Sequence, residues 1–293
     1  MNVAFLGLGA IGAPMASHLA HEPFVLTVWN RSSDKAREFG AKYGVRVAAT
    51  AAEAVIGADV VITCVPSSRE VEELVTGGVA QAMLEGSILV DCTSGDPATS
   101  RRVAESLAPR RIAFIDAPVS GGVKGAVAGT LTIMCGGAES DIDRVRPVLE
   151  AFGKKIIRCG DIGAGDAVKA MNQALLAIHI WSAGEALAVL SKLGVDTQVA
   201  LDVINGSSGR SNSSENLFPE RVMTRAFPRT FKLALLDKDV RIAAGIAEEN
   251  GIEAPLMELT TRLFAEARKL LGEEADHVEA VRVIEDRTGV KVS

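Results

Sequence analysis

Val3-Ala4-Phe5-Leu6-Gly7-Leu8-Gly9-Ala10-Ile11-Gly12 opens the chain as a short apolar run that meets a glycine turn, and Ala13 to Leu19 continues it as a helix-compatible stretch. Strand, glycine turn and helix in that order form the context that a dinucleotide-binding fingerprint requires. Gly7 allows the tight turn, Gly9 lets the backbone approach a pyrophosphate, and Gly12 lets the helix pack on the strand, with the phosphates at the helix N-terminus. The plainer alternative is a tight strand-to-helix turn with no ligand; the correct flanks at the very start of the chain weigh against it.

The next apolar run, Val25 to Trp29, ends in Asn30-Arg31-Ser32, 18 to 20 residues past Gly12. An NAD site usually places an acid there for the ribose hydroxyls. This chain has none. Arg31 offers a planar cation to a 2'-phosphate, with Asn30 and Ser32 able to add neutral hydrogen bonds, so NADP(H) is favoured over NAD(H). An ordinary surface arginine is the competing reading.

Farther along, Asp59 to Pro66, Ile88 to Ser94 and Ile112 to Pro118 are each an apolar run ending in a polar or proline turn. Helical stretches rich in Ala, Glu and Arg separate them, which predicts a parallel sheet with helices on both faces. Ligands of such sheets bind beyond the carboxyl ends of the strands, so Val65, Pro66 and Ser94 become candidate cofactor neighbours. Asp116-Ala-Pro-Val-Ser120-Gly121-Gly122-Val-Lys124-Gly125 runs from a strand end into a glycine-rich loop whose backbone N–H groups suit a substrate carboxylate. Two more strands follow, Thr130 to Cys135 and Lys155 to Cys159, and the alternation stops at Gly160. Residues 1–162 are therefore expected to form a Rossmann-type doubly wound α/β domain, and residues 163–293 an all-helical domain.

Gly163-Ala-Gly-Asp-Ala-Val-Lys169-Ala-Met-Asn172-Gln173 opens an apolar segment to Leu193 that would be about 40 Å long as a helix. Lys169, Asn172, Gln173 and Leu176 fall on one face at i, i+3, i+4 and i+7. A dehydrogenase needs a general acid/base near the reacting oxygen, and the four histidines (His18, His21, His179, His277) sit in no motif. Lys169 can serve if burial and the positive helix end lower its pKa. Asn172 can hold the substrate hydroxyl or orient the lysine. A lone helical lysine is more simply a snorkelling surface residue, a reading weakened here by the glycines before it and the amides after it. Asp237-Lys238-Asp239 reads either as a cross-domain ion pair or as contact with cofactor or substrate. Asn205 to Ser213 is expected to be a solvated turn, and Asp276 with Glu279 to form the capping box of the last helix.

At 293 residues, with 48% hydrophobic and 23% charged residues, the composition is that of a globular protein with a substantial core. A net charge of -6 weighs against generic nucleic-acid binding. The cysteines Cys64, Cys92, Cys135 and Cys159 have no CxxC spacing and no histidine partner, so no metal set is expected and they read as packing residues in a reducing compartment. The start of the chain carries no basic leader, and the longest apolar run, Ala174 to Ala183, is far short of the roughly 20 residues of a membrane span. The expectation is a cytoplasmic protein without membrane partners.

Taken in order, Gly7-Leu-Gly-Ala-Ile-Gly12, Asp116-Ala-Pro-Val-Ser-Gly-Gly122, Gly129-Thr-Leu-Thr132, Gly163-Ala-Gly165 with Lys169 and Asn172, and Lys238-Asp239 resemble the β-hydroxyacid dehydrogenases, most of all the 3-hydroxyisobutyrate dehydrogenase branch. The resemblance covers essentially the whole chain. It implies that Gly7, Leu8, Gly9, Ala10, Ile11, Gly12, Asn30, Arg31, Ser32, Val65, Pro66 and Ser94 line the cofactor, with Lys238 at the nicotinamide end. It further implies that Ser120, Gly121 and Gly122 hold the substrate carboxylate, that Lys169 is the acid/base with Asn172 beside it, and that the helical domain builds a homodimer or homotetramer. The implied reaction is reversible oxidation of a short 3-hydroxy acid, with 3-hydroxyisobutyrate and methylmalonate semialdehyde as the leading pair. Tartronate, glyoxylate or succinic semialdehyde reduction is the alternative, and a non-catalytic dinucleotide-binding module is the alternative of another class. Gln173, where many members carry asparagine, and Ser94, where many carry threonine, depart from the pattern and bear on substrate choice.

Overall fold

The computed structural model describes all 293 residues, which form two compact units, Met1–Lys169 and Ala170–Ser293. Strands β1 (Asn2–Leu6), β2 (Val25–Trp29), β3 (Arg46–Val47), β4 (Val60–Thr63), β5 (Ile88–Asp91), β6 (Ala113–Asp116), β7 (Val119–Ser120), β8 (Leu131–Gly136) and β9 (Gly153–Gly160) build one sheet in the first unit. Its order is β3-β2-β1-β4-β5-β6-β8-β7, with β9 on β8. From β3 to β6 every pairing is parallel. Helices cover both faces, so every residue of β4 and β5 is buried and these strands read as unbroken apolar runs rather than as alternating ones. Consecutive side chains still part to opposite faces. Phe5, Ile62 and Val90 join one core with Met15 and Leu19, while Ala4, Val61 and Leu89 join another with Leu107 and Phe114.

The sheet departs from the expected all-parallel pattern at β8, which runs antiparallel to β6 and β7. The cause is a short connection: β7 leaves β6 after only Ala117 and Pro118, and the seven-residue helix Gly122–Ala128 returns the chain from the opposite end. A right-handed crossover needs a dozen or more residues. The 12-residue helix Glu139–Glu150 supplies one, and β9 is again parallel to β8.

In the second unit the long helix, Ala164–Lys192 over its full length, is followed by Thr197–Asn205, Leu233–Glu249, Pro255–Leu271 and Val281–Thr288. At 29 residues the long helix is apolar and long enough to cross a membrane by length and composition. Ala177, Ile180, Trp181 and Leu187 nonetheless lie in the core of this unit with Phe218, Leu236 and Phe264, the environment of a buried helix in a bundle. The polar stretch expected to be a turn ends early, because a π-helical segment begins at Ser213 and runs to Val222. Pro219 inside it has no N–H to give an α-helical ladder, which is why the usual periodicity does not announce it. The expected capping box is present: Asp276 accepts from Val278 N and Glu279 from Asp276 N.

Candidate active site

The carboxyl ends of the parallel strands carry the residues that the sequence singles out. After β1, Gly7 takes φ of 109°, and a Cβ there would lie 2.2 Å from the Cys64 carbonyl oxygen, so only glycine lets the chain turn this close to the end of β4. A Cβ on Gly12 would strike the Gly7 carbonyl at 2.1 Å, which fixes the second glycine by the first. Gly9 and Ala10 are exposed, and the space where a Gly9 side chain would stand is open. This bare backbone fits the approach of a pyrophosphate.

Asn30 was expected to reach a ribose phosphate, but both ends of its amide are committed inside the protein. Its Oδ1 accepts from Leu8 N at 2.9 Å and its Nδ2 donates to Ser32 O at 3.1 Å. An amide at the end of β2 thus shapes the glycine loop next to it. Arg31 and Ser32 remain exposed at the same strand end, where an arginine can meet a phosphate.

Asp91 was not singled out from the sequence. At the end of β5 its Oδ1 accepts from Thr63 Oγ1 at 2.8 Å and from Thr93 N at 3.0 Å, while Thr93 Oγ1 accepts from Val65 N at 3.2 Å. One carboxylate therefore holds the exits that carry Val65 and Pro66 on one side and Ser94 on the other. Burial pushes its pKa up to about 6, against the opposing hydrogen bonds of Thr93 and Thr63.

Lys169 is buried, 8% exposed, and its Nζ donates to the Val119 carbonyl at 2.9 Å. The next residue is Ser120, half-buried, followed by the exposed Gly121 and Gly122. The structure thus places the proposed acid/base against the proposed carboxylate loop, which the sequence could only align by motif. The surface-lysine reading fails on this burial. Cys64 and Cys135 offer no competing nucleophile, since burial pushes both thiols up to about 12.

Asn172 and Lys238 belong to the second unit. There, exposed Asn172 donates from Nδ2 to Gln173 Oε1 at 3.3 Å, buried Gln173 donates from Nε2 to Asp239 Oδ2 at 3.0 Å, and Lys238 Nζ lies 3.1 Å from Asp239 Oδ1. Gln173, read from the sequence as a departure that bears on substrate, is a structural link between Asn172 and the Lys238-Asp239 pair. Asp237 meets Arg241 at 3.0 Å and Arg268 at 2.9 Å, so both carboxylates of the expected cross-domain pair have their partners inside this unit.

Comparison with known proteins agrees with this arrangement. Residues 2–160 match the NAD binding domain of 6-phosphogluconate dehydrogenase, and residues 163–284 match the family described as NAD-binding of NADP-dependent 3-hydroxyisobutyrate dehydrogenase. The chain is 35% identical to 2-(hydroxymethyl)glutarate dehydrogenase of Eubacterium barkeri, over 100% of this chain and 98% of that protein. It is 36% identical to 3-hydroxyisobutyrate dehydrogenase of Pseudomonas aeruginosa, over 90% and 91%. The solved structure of Mycobacterium tuberculosis 3-hydroxyisobutyrate dehydrogenase with L-serine superposes with a TM-score of 0.90 at 34% identity, covering 97% of this chain and 98% of that one.

Proposed function

This chain belongs to the β-hydroxyacid dehydrogenase family and is an NAD(P)-dependent hydroxyacid oxidoreductase; on that premise we propose that it uses NADP(H), acts on a short 3-hydroxy acid, and employs Lys169 as its general acid/base. The observation that carries the proposal is the buried Lys169 Nζ, 2.9 Å from the carbonyl of the residue that precedes Ser120.

When bound, the nicotinamide accepts or supplies the hydride. Ser120, Gly121 and Gly122 hold the substrate carboxylate, which leaves the 3-hydroxyl within reach of Lys169. In oxidation the neutral lysine amine takes the hydroxyl proton as hydride leaves the carbon, and in reduction the ammonium returns it. Asn172, one helical turn on from Lys169, is in register to orient the same oxygen. The carboxylate loop asks only for an acid with a hydroxyl on the β carbon. The lead substrate pair is 3-hydroxyisobutyrate and methylmalonate semialdehyde, by likeness to the Pseudomonas enzyme. Tartronate, glyoxylate and succinic semialdehydes satisfy the same chemistry, and the glutarate relative and the serine-bound neighbour extend the range to 2-(hydroxymethyl)glutarate and L-serine. Exposed Val189, Leu193, Val199 and Val203 in the helical unit support assembly with a second copy.

Lys169→Ala should lower kcat on the order of 100-fold or more while binding NADP(H) nearly as the parent does, read by steady-state kinetics and by fluorescence titration of the cofactor. Comparable turnover in the variant sinks the mechanism. Arg31→Asp should weaken NADP(H) relative to NAD(H) by about tenfold or more, the worth of a charged hydrogen bond. An unchanged cofactor ratio removes Arg31 from 2'-phosphate recognition. A panel of these hydroxy acids and semialdehydes assayed with both cofactors identifies the substrate, and inactivity on all of them favours the non-catalytic module.

A further inference from the structure

The long helix starts in an unusual bed. A Cβ on Gly165 would lie 2.2 Å from the Met134 carbonyl oxygen and 2.9 Å from Asp116 Oδ2, so the first turn presses directly onto β8 and the end of β6. Asp116, 0% exposed, accepts from Gly163 N at 2.7 Å through one oxygen and from Asp166 N at 2.9 Å through the other. Asp166, 1% exposed and one turn before Lys169, accepts from Gly95 N at 3.0 Å and from Ser100 Oγ at 2.7 Å. Gly95 directly follows Ser94, on the loop that leaves β5.

These bonds give the first two turns of the helix three anchors. Asp116 holds the N-terminus from below. Asp166 ties the first turn to the loop beside the candidate cofactor site, and Lys169, at i+3 on the same face, reaches the substrate loop at Val119. We propose that Asp116 and Asp166 are positioning residues for Lys169, fixing where its amine stands between the loop after β5 and the loop after β6. The inference rests on the reading of Lys169 as the acid/base. A buried carboxylate is a costly way to cap a helix, and both groups carry that cost: burial raises the pKa of Asp116, and burial together with the charges of Asp116 and Asp91 raises that of Asp166. A cap alone needs one exposed serine or aspartate.

The bond pattern separates two otherwise identical substitutions. In Asp166→Asn the amide oxygen still accepts from Gly95 N, and the Ser100 hydroxyl turns to accept from the new N–H. Asp116→Asn has no such escape, because both partners are backbone donors and one would face a donor. The experiment measures kcat, KM, the NADP(H) dissociation constant and thermal unfolding for D116N, D166N, D166A and S100A beside Lys169→Ala. Displacing a catalytic group by about 1 Å can cost on the order of 100-fold, so D116N and D166A should lose about 10- to 100-fold in kcat, with smaller changes in KM and cofactor affinity. D166N should recover most of what D166A loses, and S100A should fall between them. Parental kcat in D166A and S100A, or an equal loss in D166N and D166A, overturns the proposal even if D116N does not fold. Should Lys169→Ala turn over normally, the acid/base reading fails instead, whatever the aspartate variants do.

Discussion

In the first unit Asp91, Asp116 and Asp166 are met by backbone N–H groups and hydroxyls, whereas in the second unit Asp237, Asp276 and Glu285 are buried against arginine or histidine. Glu285 takes a two-pronged grip from Arg225 at 2.6 and 3.0 Å and also accepts from Val292 N, pinning the end of the chain. Asp276 accepts from Thr230 N and Phe231 N, with Arg221 and His277 beside it. Burial pushes Asp276 up, but the bond and charge of His277 and the two backbone donors override it and hold the carboxyl well below its usual range. The first-unit carboxyls are pushed the other way. The lesson is a division of labour. Cation-paired carboxylates in the helical unit staple segments far apart in sequence. Those at the strand ends keep loops in register at a cost in charge burial, the kind of strain that gathers at functional sites.

The largest expected effect tests the stapled half. Asp276→Ala removes four hydrogen bonds at Thr230, Phe231 and Val278 and leaves Arg221 and His277 without their carboxylate. Breaking a buried pair from one side costs about 3–5 kcal/mol, so the urea midpoint should drop sharply at neutral pH. The depressed carboxyl gives the unfolded chain the greater proton uptake, and this stabilisation is lost as pH falls below about 4. The deficit of the variant should therefore shrink on acidification, and a loss under about 1 kcal/mol at neutral pH would erase the contrast between the two units.

How far the sequence carried these features depends on how local their causes are. The strand, glycine turn and helix at Val3 to Gly12 are legible because a Cβ at Gly7 or Gly12 would clash within the same turn or with the neighbouring strand. Lys169 is legible through helix spacing. Asp166 is not, since an aspartate in the first turn of a helix already has a sufficient local explanation in the dipole, and its partners lie 71 and 66 residues away. The capping box shows the reverse case. Asp276 and Glu279 announce a helix start, but nothing local reveals that the same carboxylate grips Thr230 and Phe231. The antiparallel β8 escapes for a related reason, because strand direction is set by the short helix that precedes it and not by the apolar pattern of the strand.

A smaller effect tests the strand-end half without disturbing its bonds. Both donors to Asp91 share Oδ1, so Asp91→Asn keeps the Thr63 and Thr93 hydrogen bonds and removes only the charge. With its folded pKa raised to about 6 from 3.8, native Asp91 holds its proton more tightly than the unfolded chain does. Its contribution is therefore fully present below about pH 4 and lost as pH rises toward about 6, opposite in sign to that of Asp276, by an amount on the order of 1–3 kcal/mol. Urea unfolding of parent and variant across this window should show the stability of Asp91→Asn gaining on that of the parent as pH increases. Parallel curves would mean that the carboxylate is as comfortable in the sheet as in water, and the cost assigned to the strand-end carboxylates would have to be withdrawn for the one at the centre of the group.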